Sequence, residues 1–299
     1  MKKIMAVYDE DPFYAERLSD YINRREDGIF SARAFTSRKR LEEFARDHGI
    51  DVLLTGTLSE GGFPGLPSVQ RILLTEEEVR AGEGGGDVVE VYEKYQDADV
   101  LNICVADGLS GTYHGALSAR DMVENRDRIT VFNSRTLCGP HRYMVEKAQK
   151  MKEEGKGIPE ILEWLKSAAE KTESFLIPQD FGFLKRGGRL TPVAAALGSV
   201  LKLKPVMRLT EDGTRLDKFF VKRTMSAAVS GIMDHMKKKG IDGRYLLYIV
   251  HAAAPKEAGA IREMIEAEFK GIQIQMMDLS PVFVAQGGPG CVAIQYIER

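Results

Sequence analysis

Over the first half of the chain, short continuous apolar runs alternate with longer segments whose apolar positions recur every three or four residues. "KIMAVY" (3–8) reads as a strand, and "PFYAERLSDYINRRE" (12–26) as an amphipathic helix with Pro12 at its start. "FSARAF" (30–35) is a second strand, and "SRKRLEEFARDHG" (37–49) a helix stopped by Gly49. "DVLLTGTL" (51–58) and "VQRILLT" (69–75) are further strands, separated by a glycine- and proline-rich loop. "DVVEVYEKYQ" (87–96) fits either a helix or a strand. A strand over 99–106, a helix over 112–126, the strand "RITVFNS" (128–134) and helices over about 139–155 and 158–171 follow. Strands that are apolar throughout and alternate with helices predict a parallel sheet covered on both faces.

From about residue 174 the pattern changes. "SFLIP", "KPVMRLTEDGTRLDKFFVK" with its Asp212-Gly213 hairpin signal, "RYLLYIV", "IQIQMM" and "CVAIQYI" read as strands, with helices over 223–239 and 254–269 between them. The predicted fold class is therefore α/β: a parallel-sheet domain over 1–170, then an α+β domain of mixed or antiparallel sheet over 171–299. The boundary falls near 165–175, and no internal repeat is evident. A chain of 299 residues gives room for about two such domains.

Charge and cysteines narrow the function classes. Lys and Arg number 42 against 44 Asp and Glu, a formal charge of -2 with both signs interspersed, so the footprint of a nucleic-acid binder is missing. Cys104, Cys138 and Cys291 are widely spaced and form no CxxC pair, which argues against a disulfide frame or a zinc site and for small buried hydrophobes. No run approaches about 18 apolar residues, the length that spans a membrane. Acids interrupt the basic start before it can form a signal peptide. A cytoplasmic protein without metal or cofactor is expected.

Three stretches carry candidate chemistry. "DGLSGTYHGA" (107–116) places Ser110, Gly111 and Thr112 where a strand ends and a helix begins. Ligands of open α/β sheets bind outside the carboxyl ends of strands, and a helix start offers an anion unpaired N–H groups and a partial positive charge. Ser110 and Thr112 either cap the helix or bond a ligand oxygen. A catalytic serine is disfavoured, because Thr112 stands where the nucleophile elbow needs glycine. In "FLKRGGRLTPVAAALGSVLKLKP" (183–205), Gly187-Gly188 make a turn bracketed by Arg186 and Arg189, and Thr191-Pro192 start a helix. In "FVAQGGPGCVAI" (283–294), a Gly-Gly-Pro-Gly loop joins two strands. His141 of "LCGPHRY" has no marked partner and reads as structural.

Taken in order, "GLSGTYHGAL", "FLKRGGRLT…ALGSVLKLKPVM…DG", "VKRTMSAA", "YIVHAAAPKEA" and "GGPGCVAI" closely resemble the DegV family of bacterial fatty-acid-binding proteins, over about residues 87–297. The resemblance implies a non-enzymatic protein that holds one long-chain fatty acid in an apolar tunnel between two domains, its carboxylate near the S-G-T helix start. In family members that serve a fatty acid kinase, a separate ATP-using subunit phosphorylates that carboxylate. By this likeness Ser110, Gly111, Thr112, Gln286 and Gly288 fall in ligand-binding segments, and Arg189 and Arg223 where the family contacts its kinase.

The chain departs from the family at three points. Ala106-Asp107 replace a serine pair. "RAGEGGG" (80–86) replaces a Thr-Ser-Gln-Pro-Ser motif, leaving Arg80 as a substitute cation for the missing threonine. Gln286 replaces a histidine and cannot exchange a proton near neutral pH. Residues 1–75 also weakly resemble a degenerate response-regulator receiver. Asp9, Glu10 and Asp11 follow the first strand, Gly56 stands near the phosphoacceptor position, and Thr75 and Lys94 stand near later landmarks. The alternative function is therefore a receiver-like regulatory or interaction protein whose lipid site has decayed. The two resemblances disagree at 87–96: helix for the lipid-binding family, strand for a receiver.

Overall fold

The structure, a computed structural model, describes residues 3–8, 12–24, 30–50, 52–55, 70–73, 85–195, 203–210, 213–279 and 281–299. Asp9, Glu10, Asp11, Gly56, Thr75 and Arg80 lie outside the described residues.

Strands β1 (Lys3–Tyr8), β2 (Phe30–Phe35), β3 (Val52–Thr55) and β4 (Gln70–Leu73) form a four-stranded parallel sheet in the order β2-β1-β3-β4. Helix α1 (Pro12–Asn23) leads from β1 to β2, and α2 (Arg38–His48) from β2 to β3. Gly49 ends α2 as read from the sequence, with φ of 68° and its N–H on the Ala45 carbonyl. After α3 (Gly85–Lys94), strands β5 (Val100–Cys104) and β6 (Ile129–Asn133) form a separate two-stranded parallel sheet, joined through α4 (Thr112–Asp121).

The third sheet begins at β7 (Glu173–Ile177) and, beyond the short helix α8 (Pro192–Ala195), contains β8 (Lys204–Leu209), β9 (Leu216–Lys222), β10 (Tyr245–His251), β11 (Gln273–Asp278) and β12 (Val292–Glu298). Its order is β11-β10-β12-β7-β8-β9. β10 and β11 run parallel across α10 (Pro255–Glu268), and the remaining pairs are antiparallel, so the sheet is mixed as expected. The hairpin signal holds at Gly213, whose φ is 74° and whose N–H bonds the Thr210 carbonyl between β8 and β9.

Alternation along the strands sets the layers. On β10, Leu247 and Ile249 face α9 (Met225–Lys238) and α10. Leu246, Tyr248 and Val250 face the opposite way, toward α5 (Cys138–Glu153) and α6 (Ile158–Glu170). β10 is buried on both faces, which explains its uninterrupted apolar sequence. On β1, Met5 and Val7 join the core of α5, α6 and β10, whereas Ala6 packs with Leu41, Ala45 and Leu53 under α2. One apolar core therefore runs from the first strand to Ile297 of the last.

Two expectations need correction, and one segment that fitted either state is settled. Residues 281–287 are not strand-flanking loop but a helix, α11 (Pro281–Gly287), and only the residues after it form the glycine loop. Pro281 is preset for a first helical position, and α11 packs against α7 (Phe181–Arg186), a one-turn element that the pattern does not announce. The Asp180 side chain caps α7 by accepting the Gly182 N–H. Helix α4 stops at Asp121, short of 126. The ambiguous 87–96 segment is helical in α3, with Lys94 in its last turn and Tyr92 fully buried against α4 and β6.

Gly139 shows how tightly α5 meets the central strand, because a β-carbon there would lie 2.2 Å from the Tyr248 ring. Gly139→Ala is therefore expected to cost about 1–3 kcal/mol by overpacking, read as a lowered thermal midpoint. An unchanged midpoint would contradict this packing.

Candidate ligand-binding site

Strands β5 and β6 end side by side, and their following loops are stitched together. The Ser134 N–H donates to the Cys104 carbonyl at 3.0 Å, and the Ala106 N–H to the Thr136 carbonyl at 2.9 Å. The 105–111 loop then turns sharply, with the Leu109 and Ser110 N–H groups both returning to the Ala106 carbonyl. Helix α4 starts here, with Gly111 at its N-cap and no side chain capping from that residue. Ser110 caps from one position earlier: its Oγ accepts the Thr112 N–H at 3.3 Å. The next amides, Tyr113 and His114, belong to the first turn and have no acceptor within the helix. The site thus presents a serine hydroxyl with a proton to donate, helix-start amides and the positive end of a helix dipole.

Asp107, the carboxylate least compatible with an anion, turns onto its own loop and accepts the Gly108 N–H at 2.9 Å. The loop rests on the second half of the chain. A β-carbon at Gly108 would stand 1.9 Å from the Thr214 carbonyl oxygen, so the loop lies flat on the β8–β9 turn. Arg189 adds a polar tie: its Nε donates to the Leu109 carbonyl at 3.3 Å and its Nη1 to the Gly187 carbonyl. The Gln286 carboxamide lies over Gly187, where a β-carbon would come within 2.2 Å of Oε1. Gly288, with φ of 79°, lets the loop after α11 close on the Phe183 ring.

Ser110, Arg189, Gln286 and Gly288 are therefore linked through the loop after β5, the Gly-Gly turn and the loop after α11. The "YIVHAAAP" segment joins the same region, since the Ala252 N–H donates to the Cys291 carbonyl and the Gly290 N–H to the Ala252 carbonyl. His251 at its centre is buried, with Nδ1 3.2 Å from Asp278 Oδ1, an ion-pair distance without the direction of a hydrogen bond. Arg223 lies elsewhere, exposed between β9 and the Thr224 cap of α9. Nothing in the local sequence marks Thr214 or the Leu109 carbonyl as site components, because their roles come from chain segments far apart.

His141 does have a partner: its Nε2 lies 3.0 Å from the Ile103 carbonyl on β5 and donates to it. Burial lowers its pKa, outweighing the opposing effect of that bond. The three thiols are pushed up by burial, Cys104 to about 11 and Cys138 and Cys291 to about 12. They are free thiols; Cys104 and Cys291 are buried and Cys138 partly so, and the Cys104 Sγ–H donates to Asn102 Oδ1 at 3.4 Å. A cleft of about 290 Å³ between β9 and α9, lined in part by Phe219, Phe220, Lys222 and His235, contains none of the predicted ligand residues.

Fold and site together define an α/β protein with a corner of hydroxyls and helix-start amides at the ends of two parallel strands, braced by a mixed sheet. The model of a family described as "Uncharacterised protein, DegV family" matches residues 85–299, well over half of the sequence. The chain belongs to the DegV family. It is 30% identical over 216 residues to Protein DegV of Bacillus subtilis, covering 70% of this chain and 75% of that one. It is 29% identical over 220 residues to the DegV domain-containing protein YteA of Lactococcus lactis, covering 72% and 75%. Among solved structures it resembles "DegV, a fatty acid binding protein" of Bacillus subtilis, with a TM-score of 0.62 and 20% identity over 100% of both chains. A DegV family protein of Eubacterium eligens loaded with heptadecanoic acid superposes with a TM-score of 0.63 and 16% identity, again over 100% of both chains. Both comparisons cover the whole of this chain, so the described first sheet is part of the shared fold.

The partly buried His141 supports the fold only while its ring stays neutral. Its stabilising contribution is complete above the ordinary histidine value of about 6.5 and is lost as pH falls through the lowered folded value. The expected NMR titration midpoint of its ring therefore lies below about 6.5, and His141→Gln should flatten the fall in thermal midpoint between neutral and mildly acidic pH. A midpoint at or above the ordinary value would contradict the burial.

Proposed function

We propose that this protein is a non-enzymatic carrier of one long-chain fatty acid. The carboxylate is held at the α4 start by Ser110 and the first-turn amides, and the acyl chain lies between the unit over 1–170 and the unit over 171–299. One observation carries the reading. On the β5–β6 sheet, Val100, Ile129 and Val131 turn toward α3 and α4, and Leu101, Ile103 and Phe132 turn toward the shared core; of these six only Ile129 is fully buried. A half-buried apolar face leads straight to a polar helix start. A fatty acid needs that sequence of surfaces.

The energetics agree. Burying about 14 methylenes at about 0.8 kcal/mol each offers about 11 kcal/mol gross, which supports tight binding after ordering costs. The head group then has only to recover its lost hydration, since an unpartnered buried carboxylate would cancel much of the gain. Family membership points the same way, through relatives described as fatty-acid-binding. No described helix is long and apolar enough to cross a membrane.

Presentation of the carboxylate to a fatty acid kinase is a further step suggested by the family likeness, and two residues weigh against it. Gln286 offers no titratable proton, and Arg189 spends hydrogen bonds on the Leu109 and Gly187 carbonyls. The receiver-like alternative is disfavoured by the helical α3.

Protein purified from a bacterial host, denatured and analysed by mass spectrometry should release a long-chain fatty acid in stoichiometric amount. Delipidated protein should rebind it, and Ser110→Ala should weaken binding about tenfold, the loss of one hydrogen bond to a charged group. Absence of both bound and rebindable lipid would end this reading.

A further inference from the structure

Strand β9 is an edge of the mixed sheet, and its pairing with β8 slips by one residue. Val206 pairs with Phe220 and Met207 with Lys218, which leaves Phe219 as an extra residue on β9. A bulge of this kind re-aims side chains. Here the consecutive rings of Phe219 and Phe220 come together, their centroids 4.9 Å apart. Both line the cleft of about 290 Å³ against α9, a volume at the small end of ligand pockets. From α9, Gly231, Asp234, His235 and Lys238 reach the same cleft, placed on one helix face by their spacing of three and four residues. Gly231 makes room for the aromatic wall, since a β-carbon there would lie 2.7 Å from the Phe220 ring.

The His235 imidazole is held from behind. Its Nε2 lies 2.6 Å from Glu173 Oε2 on β7, and the Tyr296 hydroxyl on β12 donates to the same oxygen. Arg208 Nη1 stands 3.7 Å from the other Glu173 oxygen, so that carboxylate is committed to the network. Edge contacts with Phe175 and Phe219, at 5.6 and 5.0 Å, fix the plane of the ring. Its second nitrogen, Nδ1, is neither hydrogen-bonded nor sealed from solvent among the described residues, and so opens on the cleft that the ring lines. Lys222 and Lys238 are exposed at the mouth, and two lysines against the single Asp234 leave it net positive.

We infer that the β9–α9 cleft is a second binding site, for a small planar hydroxyaromatic acid. The flat body of the ligand lies on Phe219 and Phe220, its carboxylate meets Lys222 and Lys238 at the mouth, and its hydroxyl bonds His235 Nδ1 at the base. A hydroxyl suits that atom in either proton state of the ring, donating to the bare nitrogen or accepting from its N–H. The His235 ring is already oriented by Glu173 and Tyr296, so little order is lost when the ligand arrives. The cleft contains none of the residues of the α4 start, and it stands or falls independently of the fatty-acid reading.

The test titrates full-length protein with p-coumarate, with cinnamate, which lacks the hydroxyl, and with p-coumaryl alcohol, which lacks the carboxylate. Wild-type protein should bind p-coumarate saturably at one site, and each of the other two about fivefold more weakly, the loss of one hydrogen bond or of partly exposed ion pairs. Lys222→Gln combined with Lys238→Gln should weaken p-coumarate about fivefold and leave the alcohol unchanged, whereas Asp234→Asn should strengthen the acid. All three positions are exposed, so these variants should fold. In His235→Phe the preference for p-coumarate over cinnamate should vanish. Independently of that variant, the wild-type His235 ring signals should shift on titration while those of His141 stay in place. Saturating palmitate should leave p-coumarate affinity unaltered. Absence of saturable p-coumarate binding, equal affinity for the acid and the alcohol, indifference to the lysine and aspartate variants, unshifted His235 signals or displacement by palmitate would each overturn the assignment.

Discussion

A single apolar core shared by both halves of the chain is the constraint on which the rest depends. Side chains from β1, α1 and β2 meet α5, α6 and the inner face of β10 and β12 in one buried cluster. Because β10 is buried on both faces, it cannot tolerate polar substitution on either, and the helices above and below it are fixed in place by its alternation. The small parallel sheet of β5 and β6 borders this core without being fully covered by it. The proposed acyl path follows from that incomplete cover: the apolar face is made by the fold and left partly open.

The polar end of that face is built by cross-chain ties rather than by one motif. Gly108 lies against the β8–β9 turn, Arg189 bridges the Leu109 and Gly187 carbonyls, and Gln286 covers Gly187. Each tie leaves the α4 start as it is while fixing its position relative to the mixed sheet. Preorganisation of this kind matters for an anion in an apolar setting, since donors already in place need no reordering when the ligand arrives. The same argument explains why Asp107 is tolerable: its carboxylate is occupied by the Gly108 amide of its own turn.

The departures from the family's motifs acquire a physical meaning in this frame. A glutamine in place of a histidine, and an arginine bound to backbone carbonyls, suit holding a ligand better than passing protons or docking a phosphorylating partner. Holding requires hydrogen-bond donors and an apolar wall. Transfer requires in addition an accessible head group and a reacting partner.

Much of the architecture was legible from the order of residues, because strands, helices and tight turns are governed by neighbours. The β-α alternation, the Gly49 stop, the Gly213 hairpin and the position of Ser110 at a strand–helix junction all follow from local periodicity and backbone preference. The helical state of 85–94 did not, because its apolar spacing suits both periods and only burial of Tyr92 against α4 and β6 decides between them. Helix α11 was likewise hidden, since a short apolar segment before a glycine loop takes its conformation from the α7 surface it covers. The site shows the same division. Its hydroxyls and glycines are written in short motifs, but the Arg189–Leu109 bond joins residues 80 positions apart, and the contacts at Gly108 and Gly187 depend on where distant loops come to rest. Sequence determines which groups can bond an anion, and only the packing of the two halves decides which of them arrive at the same place.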